Sequence, residues 1–203
     1  MQIGKPLIIE CPACGKKYQK TGILSGNTFG GVFWSDGSFF APMMPDQVIF
    51  TKCVQCNLIF NCHSSHNREA DTWEEADGLP YVEHLSPKEL KEAVTAELWV
   101  NPEEEVYLRR RLWQQMNHHP WKDEPPQNFE PDADYRSNAE ALIRIFSDME
   151  EPDYLLLAEL HRNLGNYLDC LALLNKTDRG YRTETIAAIE NAVKHKINGT
   201  LRV

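Results

Sequence analysis

Two cysteine pairs of identical spacing, Cys11-Pro12-Ala13-Cys14-Gly15 and Cys53-Val54-Gln55-Cys56-Asn57, place four thiols where one tetrahedral ion can collect them. Two intervening residues let both sulfurs of a pair reach a metal at ~2.3 Å, and the turn is completed when the next residue takes positive φ. Gly15 and Asn57 hold that next position, and glycine and asparagine tolerate it best. Pro12 pre-sets φ inside the first turn. A redox dithiol would need only one such pair, and two disulfides are the other competing chemistry. The expectation is a closed structural zinc site, one Zn²⁺ per chain on Cys11, Cys14, Cys53 and Cys56. The connection between the pairs is longer than the ~15–20 residues of compact four-cysteine sites.

The remaining reactive side chains form no comparable pattern. Cys62, His63 and His66 follow the second pair closely, so a second metal site, a ligand exchange with the first, or a Cys–His nucleophile pair all need weighing. Neighbours on a strand face opposite ways, and no orienting group is identifiable, so an inert role is expected. Cys170 lies in an apolar helical stretch and reads as buried. There is no phosphate loop and no nucleophile–base–orienter set. Four cysteine ligands also leave zinc no open position for water, so no catalytic residue is expected and a metal-dependent hydrolase is only an alternative. Three protein ligands plus water would reopen it.

The elements that position the pairs read as β structure. Val32-Phe33-Trp34 and Ser38-Phe39-Phe40 flank Asp36-Gly37, a hairpin pair suited to a type I′ turn. Val48-Ile49-Phe50 and Leu58-Ile59-Phe60 bracket the second pair as short apolar strands, giving a small zinc ribbon. Phe29, Phe33, Trp34, Phe39, Phe40 and Phe50 would serve it as core or docking surface; a stacking platform for single-stranded nucleic acid is the competing use.

Beyond residue 67 the periodicity becomes helical. Ser86-Pro87-Lys88-Glu89 is a capping box with proline at the first helical position, and Leu90, Ala93, Val94 and Leu98 share a face, which predicts a helix near 87–99. Asn101-Pro102-Glu103-Glu104 repeats that start, with Leu108, Leu112 and Met116 on one stripe. Arg109-Arg110-Arg111 reads as a salt-bridged face rather than a phosphate grip. The segment from His119 to Asp134 carries four prolines and no period, so it is a connector. From Tyr135 two helical hairpins follow, with Ala139, Leu142, Ile143 and Phe146 on the first helix, and Leu156, Leu157, Leu160 and Leu164 on the next, which Gly165 ends. The third runs from Tyr167 to Leu174, and Ile186, Ile189, Val193 and Ile197 define the last. Expected domains are a zinc ribbon over 1–66, two helices and a proline-rich connector over 67–130, and helical hairpins over 131–203, an α+β chain.

Charge narrows the partners. Residues 1–66 carry +2, leaving −11 of the total −9 for the rest, and four thiolates with Zn²⁺ add about −2 to the ribbon. A nucleic-acid binder normally presents a basic footprint, and none is evident, so nucleic acid is the alternative and another protein the expected partner. Lys16, Lys17, Lys20 and Lys52 are the lysines that would have to cluster. The chain has no apolar run of ~18 residues and no signal-peptide pattern, so a cytoplasmic, membrane-free protein with reduced thiols is expected. Asn198-Gly199-Thr200 is then an unused sequon.

The stretch from Leu157 to Leu171, with Gly165 and Tyr167 at its turn, resembles one tetratricopeptide repeat. The cysteine pairs together with Gly26-Asn27-Thr28-Phe29-Gly30, Trp34-Ser35-Asp36-Gly37 and Ala41-Pro42-Met43-Met44-Pro45 resemble uncharacterised bacterial proteins that join an N-terminal zinc ribbon to tetratricopeptide-like helices. The resemblance implies that fold and a structural zinc, and no reaction. A zinc-stabilised protein-interaction or adaptor module is the functional expectation.

Overall fold

The computed structural model describes residues 1–63, 66–121, 123–178 and 180–203, apart from the side chain of Tyr181. The described strands are β1 (Gln2–Glu10), β2 (Lys17–Ser25), β3 (Val32–Phe33), β4 (Phe39–Phe40), β5 (Phe50–Lys52), β6 (Ile59–Asn61) and β7 (Asn67–Glu69). The helices are α1 (Pro87–Thr95), α2 (Pro102–Met116), α3 (Ala133–Ser147), α4 (Tyr154–Asn163), α5 (Tyr167–Leu174) and α6 (Thr183–Lys194). The fold is therefore mixed α+β. It divides into two compact units, one of residues 1–31 and 40–98, the other of 32–39 and 99–203.

In the first unit β1 and β2 form a long antiparallel hairpin that starts at the Glu10–Lys17 pair, and β7 joins β1 on its free side. These two strands escaped the sequence reading because Gly4-Lys5-Pro6 interrupts the alternation; the ladder shifts register there between Gly4 and Leu7. β5 and β6 pair antiparallel around the second cysteine turn. Ile9, Tyr18, Phe60 and Val82 form the small core, together with Cys11, Cys53 and Cys62. α1 begins as its capping box dictates, Ser86 Oγ accepting from Glu89 N–H while the Glu89 carboxylate accepts from Ser86 N–H. It ends four residues earlier than the expected 99. Glu97 turns to φ 51° and the Leu98 amide folds back to the Ala93 carbonyl, which leaves Leu98 outside the helix and exposed.

The Asp36-Gly37 hairpin, expected within the ribbon, belongs with the second unit. Its turn is also different. Gly37 has φ 75°, but Asp36 does not, and Gly37 N–H closes on the Trp34 carbonyl at 2.9 Å. The turn is thus of the common type I followed by a left-handed glycine rather than type I′. The last residues of the chain lie alongside, with Val203 N–H on the Phe33 carbonyl at 3.0 Å and Trp34 bridged to Arg202. The Trp34 indole N–H reaches the Pro120 carbonyl at 3.0 Å.

α2 starts at Asn101, whose Oδ1 accepts from Glu104 N–H at 2.9 Å. Two adjoining clusters form the core of this unit. Trp113, Tyr135, Leu142, Phe146, Leu157 and Leu160 make one, and Cys170, Leu174, Ile186, Ile189 and Val193 the other, with α4 contributing to both through Leu157 and Ala158. Cys170 is buried, as its apolar context required. Of the six aromatics expected to serve as core or docking surface, Trp34 and Phe50 are buried, while Phe29, Phe33, Phe39 and Phe40 are exposed. No described helix is long and apolar enough to cross a membrane.

Candidate metal centre

The hairpin turn between β1 and β2 carries Cys11 and Cys14, and the turn between β5 and β6 carries Cys53 and Cys56. Both turns fold the same way. Gly15 and Asn57 take φ of 69° and 62°, and their amides donate to the carbonyls of Cys11 and Cys53 at 2.9 and 2.8 Å. The amides of Cys11 and Cys53 in turn donate to Lys16 and Leu58 carbonyls at 2.9 and 2.8 Å. Backbone N–H groups of Lys16 and Leu58 point at the sulfurs of Cys14 and Cys56. Each turn thus supplies one ready amide to its second sulfur.

The four sulfurs lie within 4.8 Å of one another, with Cys11–Cys56 at 3.6 Å and Cys14–Cys53 at 3.5 Å. Four thiolates at ~2.3 Å from a tetrahedral ion stand about 3.8 Å apart, so the set fits such an ion. All six cysteines are free. Cys11 and Cys53 are buried, Cys14 is half-buried and Cys56 exposed, so one edge of the cluster is open to solvent for an incoming ion. Among the described residues no other group of three or more His, Cys, Asp or Glu could hold a metal. Cys62 is buried in the same core, its thiol pushed up to about 11 by burial, and neither it nor His63 or His66 joins the cluster.

The sulfurs are unequal. Burial works against a Cys53 thiolate, but the Tyr18 hydroxyl, the amides of Cys56 and Gln55 and the Cys14 thiol outweigh it and bring the group down to about 6. At Cys14 the Lys16 amide favours the thiolate, yet burial and the neighbouring sulfurs push it up to about 12. Tyr18 was invisible to motif reading. Its hydroxyl donates to Cys53 Sγ at 3.2 Å and accepts from Val54 N–H at 2.8 Å, and burial and the adjacent sulfur hold that hydroxyl at about 12, so it stays a donor. Nothing local to a cysteine pair signals it; only the β1–β2 register brings Tyr18 opposite Ile9 and under the second turn.

Three of the four lysines that would make a basic face, Lys17, Lys20 and Lys52, are engaged by neighbouring groups. Lys20 is buried with its Nζ on the Val48 carbonyl at 2.7 Å, Lys17 pairs with Glu10 at 3.2 Å, and Lys52 with Glu89 and Glu92 at 3.4 and 3.6 Å.

The second unit holds a buried polar network that the sequence did not announce. Asp36, fully buried, accepts from Asn117 Nδ2 at 2.8 Å, from Ser38 N–H at 3.0 Å and from Ser38 Oγ, and lies 2.7 Å from His119 Nε2. Its carboxyl is opposed by burial but held below the usual carboxylate range by His119, Ser38 and Asn117. Ser35 Oγ donates to Glu159 at 2.6 Å, and Glu159 pairs with Arg162, both side chains fully buried. Ser38 Oγ and Asp36 Oδ2 both address the same ring nitrogen, Nε2 of His119. A serine–histidine–aspartate relay needs them on opposite nitrogens, so the cluster joins hairpin to helices and is not set up as a nucleophile.

No protein-family model, curated protein or solved structure matches the chain.

Proposed function

We propose that the protein is a zinc-stabilised interaction module without catalytic activity, cytoplasmic, whose metal holds a small zinc ribbon together and whose tetratricopeptide-like α4–α5 hairpin offers a face to another protein. The four-sulfur cluster carries the reading. A tetrahedral ion on four thiolates has no position left for water, which favours a structural over a hydrolytic metal. Zinc is the ion suited to such a ligand set, being redox-inert and content with tetrahedral sulfur.

For the protein partner, the supporting observation is α5. Cys170 and Leu174 face the core, whereas Leu168 is 84 % exposed and Leu171 and Ala172 are exposed beside it. Large apolar residues sharing one outer helix face are a feature of interaction surfaces. The engagement of Lys17, Lys20 and Lys52 by local partners and the acidic balance weigh against nucleic acid. The test is site-specific photocrosslinking in the native cell from position 168, compared with Leu168→Asp in an otherwise unchanged chain. A discrete adduct at 168 that the Asp variant no longer co-purifies supports the reading. Binding of single-stranded DNA or RNA tighter than ~1 μM at ~150 mM salt, weakening steeply as salt rises, would replace it with the nucleic-acid alternative.

A further inference from the structure

We propose that a cavity wholly within the helical unit binds an apolar molecule carrying one carboxylate, with Arg110 receiving the carboxylate. The cavity measures about 600 Å³, and its apolar walls come from Phe33 and Trp34 of the hairpin and Leu155 and Leu156 of α4. That volume and lining suit a small organic ligand held by a few polar groups.

Arg110 is the group that gives the cavity its chemistry. Its neighbour Arg109 pairs with Glu105 at 2.7 Å, and Arg162 pairs with Glu159. Arg182, on the same cavity, pairs with Asp153 at 3.3 Å. Arg110 has only a 3.4 Å contact from Nη2 to the Gly37 carbonyl, and among the described residues no carboxylate stands within ion-pairing distance of it. Burial disfavours its charge, while Asp153 and Asp36 act on it from further away in the opposite sense. A guanidinium stays protonated at any working pH, so this one is a partly desolvated cation with most of its donors unused.

The turn is shaped to leave it room. A Cβ on Gly37 would stand 2.6 Å from Arg110 Nη2 and 3.3 Å from Leu156, and the glycine's φ of 75° is one that side chains resist. The charge balance selects the anion. Asp153 and Asp36 offset the positive charge of Arg110 and of Arg182 on the same cavity, so a singly charged anion suits the site better than a dianion, and a carboxylate can take the planar guanidinium fork through two parallel bonds. The apolar walls take the rest of the molecule. A free monocarboxylic acid and a peptide C-terminus ending in an apolar side chain share this chemistry. The inference does not depend on the metal or on the outer face of α5.

The experiment uses the full zinc-loaded chain and four probes: 3-phenylpropionate, its amide, N-acetyl-Gly-Gly-Phe with a free carboxylate, and the same peptide amidated. Titration is followed by amide NMR. Saturable shifts at residues 33–37, 110 and 155–156 are expected with at least one acid, and its amide should bind about 10- to 100-fold more weakly, as loss of a charge-assisted pair requires. Arg110→Gln should lose affinity by the same factor. Whichever acid binds more tightly identifies the source. Equal binding of acid and amide, absence of saturable binding by both acids, shifts away from those residues, or undiminished binding by a folded Arg110→Gln would overturn the proposal. The acid–amide comparison is made on the unaltered chain and stands even if that variant fails to fold.

Discussion

Replacing Tyr18 with Phe removes one oxygen from behind the four-sulfur cluster and nothing else. The ring keeps its place in the core beside Phe60, 6.4 Å between centroids, so no cavity opens. Two hydrogen bonds go. That from Val54 N–H is only partly buried, so water can reach the amide and the loss counts less. That to Cys53 Sγ, at 3.2 Å and buried, is a bond to an ionised sulfur once metal is held, worth about 1.5–3 kcal/mol. Spread over binding, this is a loss of about 10- to 100-fold in zinc affinity, the range found for partners that support a ligand from behind. Competition against a chromophoric chelator at pH 7.5, wild type beside variant, measures it. Affinity within about twofold of wild type in a folded variant would show that Tyr18 packs beside the centre without supporting it.

Cys53→Ser should abolish stoichiometric zinc and the NMR dispersion of residues 1–31 and 40–98 while most helical ellipticity survives, since a small unit depends on its metal for folding; zinc retained at one per chain would refute this. Arg162→Met leaves the Glu159 carboxylate buried without its cation and should cost about 3–5 kcal/mol, lowering the melting temperature of the helical unit by more than ~10 °C in a calorimetric scan; a shift under ~3 °C would contradict the ion pair. Asp36 titrates lower in the folded chain than in the unfolded one, so its contribution is complete above the unfolded value of ~3.9 and is lost as pH falls below that through the folded value. Denaturant midpoints of the helical unit should therefore fall more steeply below ~pH 4 in the wild type than in Asp36→Asn; parallel profiles would refute the assignment.

What the sequence disclosed is what is decided within a few residues. The cysteine turns declare themselves because Gly15 and Asn57 follow at fixed offset, and the starts of α1 and α2 because Ser86 and Asn101 cap amides only three residues away. The fate of the Asp36 hairpin was hidden for the opposite reason. Its partners Asn117 and His119 lie 81 and 83 residues away, and an Asp-Gly pair looks like a surface turn whether or not the carboxylate is buried. Glu159 and Arg162 are three apart on a helix, the spacing of an ordinary solvated pair, and only tertiary packing makes them the polar centre of a core. The end of α1 was overrun because Leu98 continued the apolar period, whereas the left-handed Glu97 broke the helix before it.

A closed four-sulfur zinc site is tested most directly by zinc K-edge X-ray absorption on the purified protein. Four sulfur neighbours at ~2.3 Å, with no oxygen or nitrogen in the same shell, are predicted. Three or fewer sulfurs with a lighter neighbour would contradict it by opening a coordination position, and a folded chain without zinc would contradict it outright.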